Sequence, residues 1–165
     1  GKHGGTINDI AVHALDLIPW ITGHKFKRIV AARCWNALAK RCPHFKDAAQ
    51  LMLEMDNGAG VMGDASYLTP DRHGYSLPQY WRMTFWGSEG VIESSCNMQC
   101  VFVAINGERK TREEPLPPGT PGNCLKSFLD DIACKKEAGG LDTDAALSAS
   151  RTALLAQKLG DSCAV

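Results

Sequence analysis

The chain has 165 residues, 44% of them hydrophobic and 22% charged. That composition fits one globular domain and excludes a disordered segment, a collagen-like repeat or a coiled coil. Its 18 basic and 18 acidic residues cancel, which removes any global electrostatic case for nucleic acid or an anionic membrane as partner. The longest mainly apolar stretch, Ile7 to Ile21, contains Asp9, His13 and Asp16 and falls short of the roughly 20 apolar residues a membrane span needs.

Gly1 to Gly5 show no charged leader followed by an apolar core and a cleavage site, so no secretory signal is expected; the chain also lacks an initiator Met, as expected where the natural N-terminus is missing. The seven cysteines, Cys34, Cys42, Cys96, Cys100, Cys124, Cys134 and Cys163, are odd in number and irregularly spaced, a pattern that reads as reduced, small, buried apolar residues in the cytoplasm.

Thr6 is placed to cap a helix running towards Trp20, with Gly23 as its stop. Pro19 removes a backbone donor and predicts a kink or an early end near Leu17. Phe26 to Trp35 reads as a strand and Ala37 to Lys46 as an irregular basic segment. Between Lys25 and Lys46 stand seven basic residues and no acidic one, a solvated face or a surface for a phosphate or an acidic partner. Ala49, Leu51, Leu53 and Met55 alternate with polar or exposed positions, the period of a half-buried strand. Asn57-Gly58 then supplies a hairpin turn, with Val61 to Leu68 returning antiparallel. Tyr80 to Trp86 and Val91 to Ser94 flank Gly87-Ser88-Glu89-Gly90 in the same manner. Cys100 to Ile105 follows, and Glu108 to Arg112 is placed to add one more strand after Asn106-Gly107.

A proline-rich connector, Pro115 to Gly122, leads to a helix capped by Asn123, with Leu125, Phe128, Leu129, Ile132 and Ala133 spaced to bury one face. Gly139-Gly140 breaks it. A last helix is capped by Asp142 or Thr143, packs through Leu147, Leu154, Leu155 and Leu159, and stops at Gly160. The predicted class is α+β: an open, mostly antiparallel β-sheet with helices packed on one face, residues 1–165 forming one domain.

The first helix holds the residues with chemical potential. At about 100° per residue, Ile7, Ile10, Ala11, Ala14, Leu15, Leu17, Ile18 and Ile21 form an apolar arc, and Asp9, His13, Asp16 and Trp20 share the other side. Asp9 and His13 are one turn apart, where a carboxylate can meet an imidazole, favour its protonated form and set its tautomer. The same spacing also suits two ordinary solvated side chains. Gly4-Gly5 just upstream lets backbone approach a ligand closely, at a helix start that favours negative groups.

Gly4-Gly5, then Asp9-x-x-x-His13-x-x-Asp16, then Trp20-x-x-Gly23 resembles the start of the C-terminal domain of the Gfo/Idh/MocA oxidoreductases, which include glucose–fructose oxidoreductase and inositol dehydrogenase. Gly87-Ser88-Glu89-Gly90-Val91-Ile92-Glu93 is similar to that family's strand, turn and strand. Phe128-Leu129-Asp130-Asp131-Ile132 and the Ala- and Leu-rich last helix are similar to its closing segment. The resemblance implies a two-domain enzyme in which an N-terminal Rossmann domain, absent here, binds NAD or NADP. The C-terminal domain would then contribute residues that face the nicotinamide and an open sheet for homo-oligomer contacts. It places His13 as the acid–base residue, Asp9 as the partner that orients histidine and substrate, and Asp16 in support. The substrate implied is a sugar, cyclitol or related polyol. The chain lacks both a Gly-x-Gly-x-x-Gly turn and a Glu-Lys-Pro segment, so no cofactor-binding residue is assigned in it and the chain alone is expected to be inactive. The other reading is a non-catalytic ligand-binding or dimerisation module.

The segment Thr69 to Tyr75 offers His73 and Tyr75 as hydrogen-bonding partners for substrate hydroxyls, or is a plain surface loop. Cys34, Cys42 and His44 lack a paired Cys-x-x-Cys, as do Cys96 and Cys100, so no metal is expected. Trp81, Phe85 and Trp86 in one strand read as an interface between subunits.

Overall fold

The structure is a computed structural model that describes residues 4–70, 72–74, 76–77, 80–119, 123–135 and 142–162. Gly139-Gly140, Tyr75 and Cys163 lie outside the described residues. The chain divides into two compact units, Gly1–Leu68 with Gly122–Val165, and Thr69–Pro121. With helices and purely antiparallel strands, it is α+β.

The first unit opens with a π-helical turn, Ile7–Ala11, leading into α1, Val12–Thr22. Strands β1 (Phe26–Trp35), β2 (Ala48–Met55) and β3 (Gly60–Ser66) form a three-stranded antiparallel sheet in chain order. The expected alternation in β2 is present: Ala49, Leu51, Leu53 and Met55 are buried, while Gln50 and Met52 are exposed. Burying each of its leucines contributes about 1.5–3 kcal/mol. The Asn57-Gly58 turn also forms, with Gly58 at a φ of 85° and Asn57 Oδ1 accepting the Ala59 N–H. Ile7, Ala11 and Leu15 meet Ala32, Cys34, Leu51 and Leu53 in one core together with Ala153 and Ala156. The last two come from α3, Thr143–Ser162; α2 spans Asn123–Ile132.

Several expectations for the helices are corrected. Thr6 makes no side-chain cap; it is fully buried and its hydroxyl donates to the Lys46 carbonyl. Helix α1 runs through Pro19 to Thr22 rather than ending near Leu17. Proline sits there in the last turn, where only one interior bond is lost, and the Thr22 hydroxyl bonds the Ile18 carbonyl. Gly23 closes the helix at a φ of 70°, its N–H on the Pro19 carbonyl.

In α3 the packing side is not leucine. Ala149, Ala153, Ala156, Gln157 and Gly160 are buried, whereas Leu147, Leu154, Leu155 and Leu159 are exposed. Small residues let the helix axis approach the sheet, and Gly160 is a contact, not a stop: a Cβ there would lie 2.8 Å from Cys34 Sγ. Asp142 is the cap, its Oδ1 accepting the Ala145 N–H at 2.7 Å. The apolar face of α2 is likewise not buried; Leu125 and Phe128 are each 60% exposed. Of the described cysteines, all free, only Cys34 is buried, which corrects the reading of the set as interior residues.

The second unit is a four-stranded antiparallel meander: β4 (Met83–Trp86), β5 (Gly90–Ser94), β6 (Cys100–Ile105) and β7 (Arg112–Pro115). Tyr80 and Trp81 fall outside β4 because the chain turns there, with Trp81 at a φ of 54°. The last strand begins at Arg112, not Glu108. The turn after Ile105 places Gly107 at a φ of 90°, and the register sets Arg112 opposite Val103. Gly90 is required, since a Cβ would lie 2.2 Å from the Ala104 carbonyl oxygen.

Candidate active site

The helix that carries Asp9 and His13 is secured at its first turn from the far end of the chain. Gln157, buried on α3, accepts the Ile7 N–H at 3.0 Å through Oε1, and its amide nitrogen donates to Cys34 Sγ at 3.3 Å and Asp161 Oδ1 at 3.1 Å. A helix start exposes backbone donors that need acceptors; here the acceptor is 150 positions away. Gly5 makes room for it. Its φ is +99° and a Cβ would lie 2.2 Å from the Gln157 carboxamide. At Gly5 the close approach is made to the Gln157 side chain.

The π turn changes the geometry of the pair. Val12 N–H reaches back five residues to the Ile7 carbonyl. Four residues of α-helix rotate about 400° and overshoot a full turn by about 40°. The wider π turn rotates less per residue, so Asp9 and His13 come nearer to one azimuth than a regular helix would bring them. Both side chains are exposed; Asp16, farther along α1, is half-buried.

A residue not singled out in the sequence contacts Asp9. Tyr67, just past β3, donates its hydroxyl to Asp9 Oδ2. Partial burial, then the neighbouring carboxylate, hold the phenol well above the usual tyrosine range, so it is a proton donor throughout the neutral region. Its ring tilts against Phe45 with centroids 5.2 Å apart, and its backbone N–H donates to the Asp47 carbonyl at 2.9 Å. Asp47 is buried, and its carboxylate accepts the N–H groups of Ala37 (2.5 Å), Leu38 (2.9 Å) and Ala39 (2.8 Å). Burial alone would push that carboxyl up; the backbone donors outweigh it and keep it below the ordinary aspartate range. The irregular basic segment is thus a built loop, whose Phe45 supports the tyrosine that touches Asp9.

The basic residues of that region are partly neutralised. Lys27 and Arg28 pair with Glu54, Lys46 pairs with Asp161, and Arg33 lies over the Trp35 ring at 4.2 Å. His73 is exposed in a turn of the Thr69–Pro121 unit, its N–H on the Pro70 carbonyl; Tyr75 lies outside the described residues. Among the described residues no group of His, Cys, Asp or Glu could hold a metal ion, and no helix is long and apolar enough to cross a membrane. The start of the site helix does not fit a dinucleotide pyrophosphate, because Gln157 already occupies the Ile7 donor and the space beside Gly5.

Comparison with known proteins agrees with this architecture. Residues 1–93 match the model of the GFO/IDH/MocA C-terminal domain. No curated protein is similar enough to count as a match. Among solved structures, a Thermotoga maritima protein classed as an oxidoreductase is 26% identical with a TM-score of 0.76, the match covering 96% of this chain and 45% of that one. UDP-N-acetylglucosamine 3-dehydrogenase of Acidithiobacillus ferrooxidans is 18% identical, TM-score 0.73, covering 95% of this chain and 47% of that one. Aldose-aldose oxidoreductase of Caulobacter crescentus is 18% identical, TM-score 0.68, covering 96% of this chain and 46% of that one. The chain thus spans a little under half the length of these structures.

Proposed function

The chain belongs to the GFO/IDH/MocA family through its C-terminal domain, and on that premise we propose that it is the substrate half of an oxidoreductase that oxidises a hydroxyl of a sugar, cyclitol or related polyol. The observation that carries this reading is the exposed Asp9–His13 pair on a helix whose first turn is fixed by Gln157 and whose carboxylate is held by Tyr67. The sugar class takes support from two proteins of the same fold, one a nucleotide-sugar dehydrogenase and one an aldose oxidoreductase by name.

In this reading His13 accepts the proton of the substrate hydroxyl as the carbinol carbon becomes a carbonyl, and returns it in the reverse direction. Asp9 stabilises the imidazolium that results and holds the ring's direction, since a carboxylate beside a histidine favours the charged form. Asp16 supports that side of the helix. NAD or NADP supplies the hydride acceptor and is held by a Rossmann domain in the other half of the protein. The working enzyme is a cytoplasmic homo-oligomer that meets through its exposed sheet face, where Trp86 is 81% accessible.

The test uses the full-length protein with a panel of aldoses, cyclitols and nucleotide sugars, following formation of reduced nicotinamide with NAD or NADP. His13→Ala is expected to lower turnover by roughly 10²–10⁴-fold while leaving cofactor affinity unchanged. Unchanged turnover removes the role of His13. An absence of turnover by the parent across the panel points instead to a binding or dimerisation module.

A further inference from the structure

We propose that Tyr67 is a positioning residue for the Asp9–His13 pair, an inference that rests on the catalytic reading above. The hydroxyl of Tyr67 donates to Asp9 Oδ2. A carboxylate on the exposed side of a helix rotates about its side-chain bonds; a donor from another element stops that rotation and fixes the azimuth of the second oxygen.

The donor itself is fixed on three sides. Its backbone N–H is bonded to the Asp47 carbonyl, its ring leans on Phe45, and Ser66 immediately before it pairs with Ala48 in the sheet. Asp47 is buried and tied to three consecutive backbone donors of the loop that carries Phe45. A continuous path of ordered groups therefore runs from the edge of the core to Asp9.

Folding does not require this path to end on Asp9. Tyr67 is 37% exposed, and a hydrogen bond made at the surface, where water competes for both partners, adds little to stability. Proton transfer is far more demanding, because a small misplacement of a catalytic group costs large factors in rate. The contact thus matters for alignment more than for stability. The π turn acts in the same direction from within the helix, bringing Asp9 and His13 towards one azimuth.

A double-mutant cycle in the full-length enzyme tests the assignment, using the sugar or cyclitol turned over best in the panel. Rates are taken from single turnovers so that slow variants stay readable. Tyr67→Phe keeps the ring on Phe45 and removes only the hydroxyl; Asp9→Asn keeps the shape and removes the charge. Tyr67→Phe is expected to lower the rate about tenfold with an unchanged cofactor KM and unfolding temperature, and to cost less than about twofold once Asp9→Asn is present, because the two residues act as one unit. No loss in the parent, or the same loss in both backgrounds, overturns the proposal. Activity unaffected by His13→Ala overturns the catalytic reading instead, so the two failures are distinguishable.

Discussion

Gln157 illustrates how one side chain far along the sequence determines whether a helix can start. Its carboxamide accepts the Ile7 N–H and fills the space left by Gly5. Gln157→Leu would preserve much of the volume and leave that N–H buried without an acceptor, costing about 1–3 kcal/mol. Gly5→Ala acts on the same contact from the other side, since alanine disfavours a φ of +99° and its Cβ would overlap the carboxamide. Urea denaturation should show both variants destabilised; a midpoint unchanged in Gln157→Leu would mean the N–H finds another acceptor. Asp9 and His13 are legible in the sequence as candidates because they stand one turn apart, within reach of a periodicity argument. Tyr67 and Gln157 are not, because their partners lie 58 and 150 positions away. No local pattern encodes a pairing over such a distance, and Tyr67 reads only as the end of a strand.

At the scale of elements, alternation and turn chemistry were enough to locate β1, β2 and β6 and the Asn57-Gly58 hairpin, since each is specified by neighbours in sequence. Which face of α3 packs was not. Helical spacing favours its leucines, but a helix close to a sheet selects small residues, and Ala149, Ala153 and Ala156 take the contact. The loop from Asn36 to Asp47 was legible only as irregular. Its order comes from Asp47, with Asn36 donating to the carbonyls of Ala39 and Cys42. Asp47→Ala should destabilise the first unit by about 2 kcal/mol at neutral pH, since three donors lose a charged acceptor. The folded carboxyl lies below its ordinary value of about 3.9. Its contribution is therefore full above that value and is lost as the pH falls through the folded pKa. The stability gap between parent and variant should hold from about pH 7 down to about pH 4 and narrow at lower pH. A gap that holds constant would show that Asp47 acts through shape and not charge.

Across the whole molecule, apolar surface is divided unevenly between the two units. All the buried apolar residues belong to the first, among the described residues, and none to Thr69–Pro121. The meander of β4 to β7 has strands of four to six residues, with Trp86 and Ile92 exposed and the side chains of Val101, Phe102 and Val103 only half-buried. Sheets of that size draw independent stability from an apolar face that is covered. Their backbone hydrogen bonds open at low free energy when it is not. Hydrogen exchange on the 165-residue chain should therefore show the amides of Cys100–Ile105 exchanging at least about tenfold faster than those of Ala48–Met55, a difference of about 1.4 kcal/mol in opening free energy. Assembly through this sheet, as proposed above, should slow exchange in β6 and leave β2 nearly unchanged, because β2 already lies between two strands and under the helical core residues. Equal protection of the two strands in the isolated chain would show that the second sheet is stable without a covering surface, and would remove the reason to place a subunit contact on it.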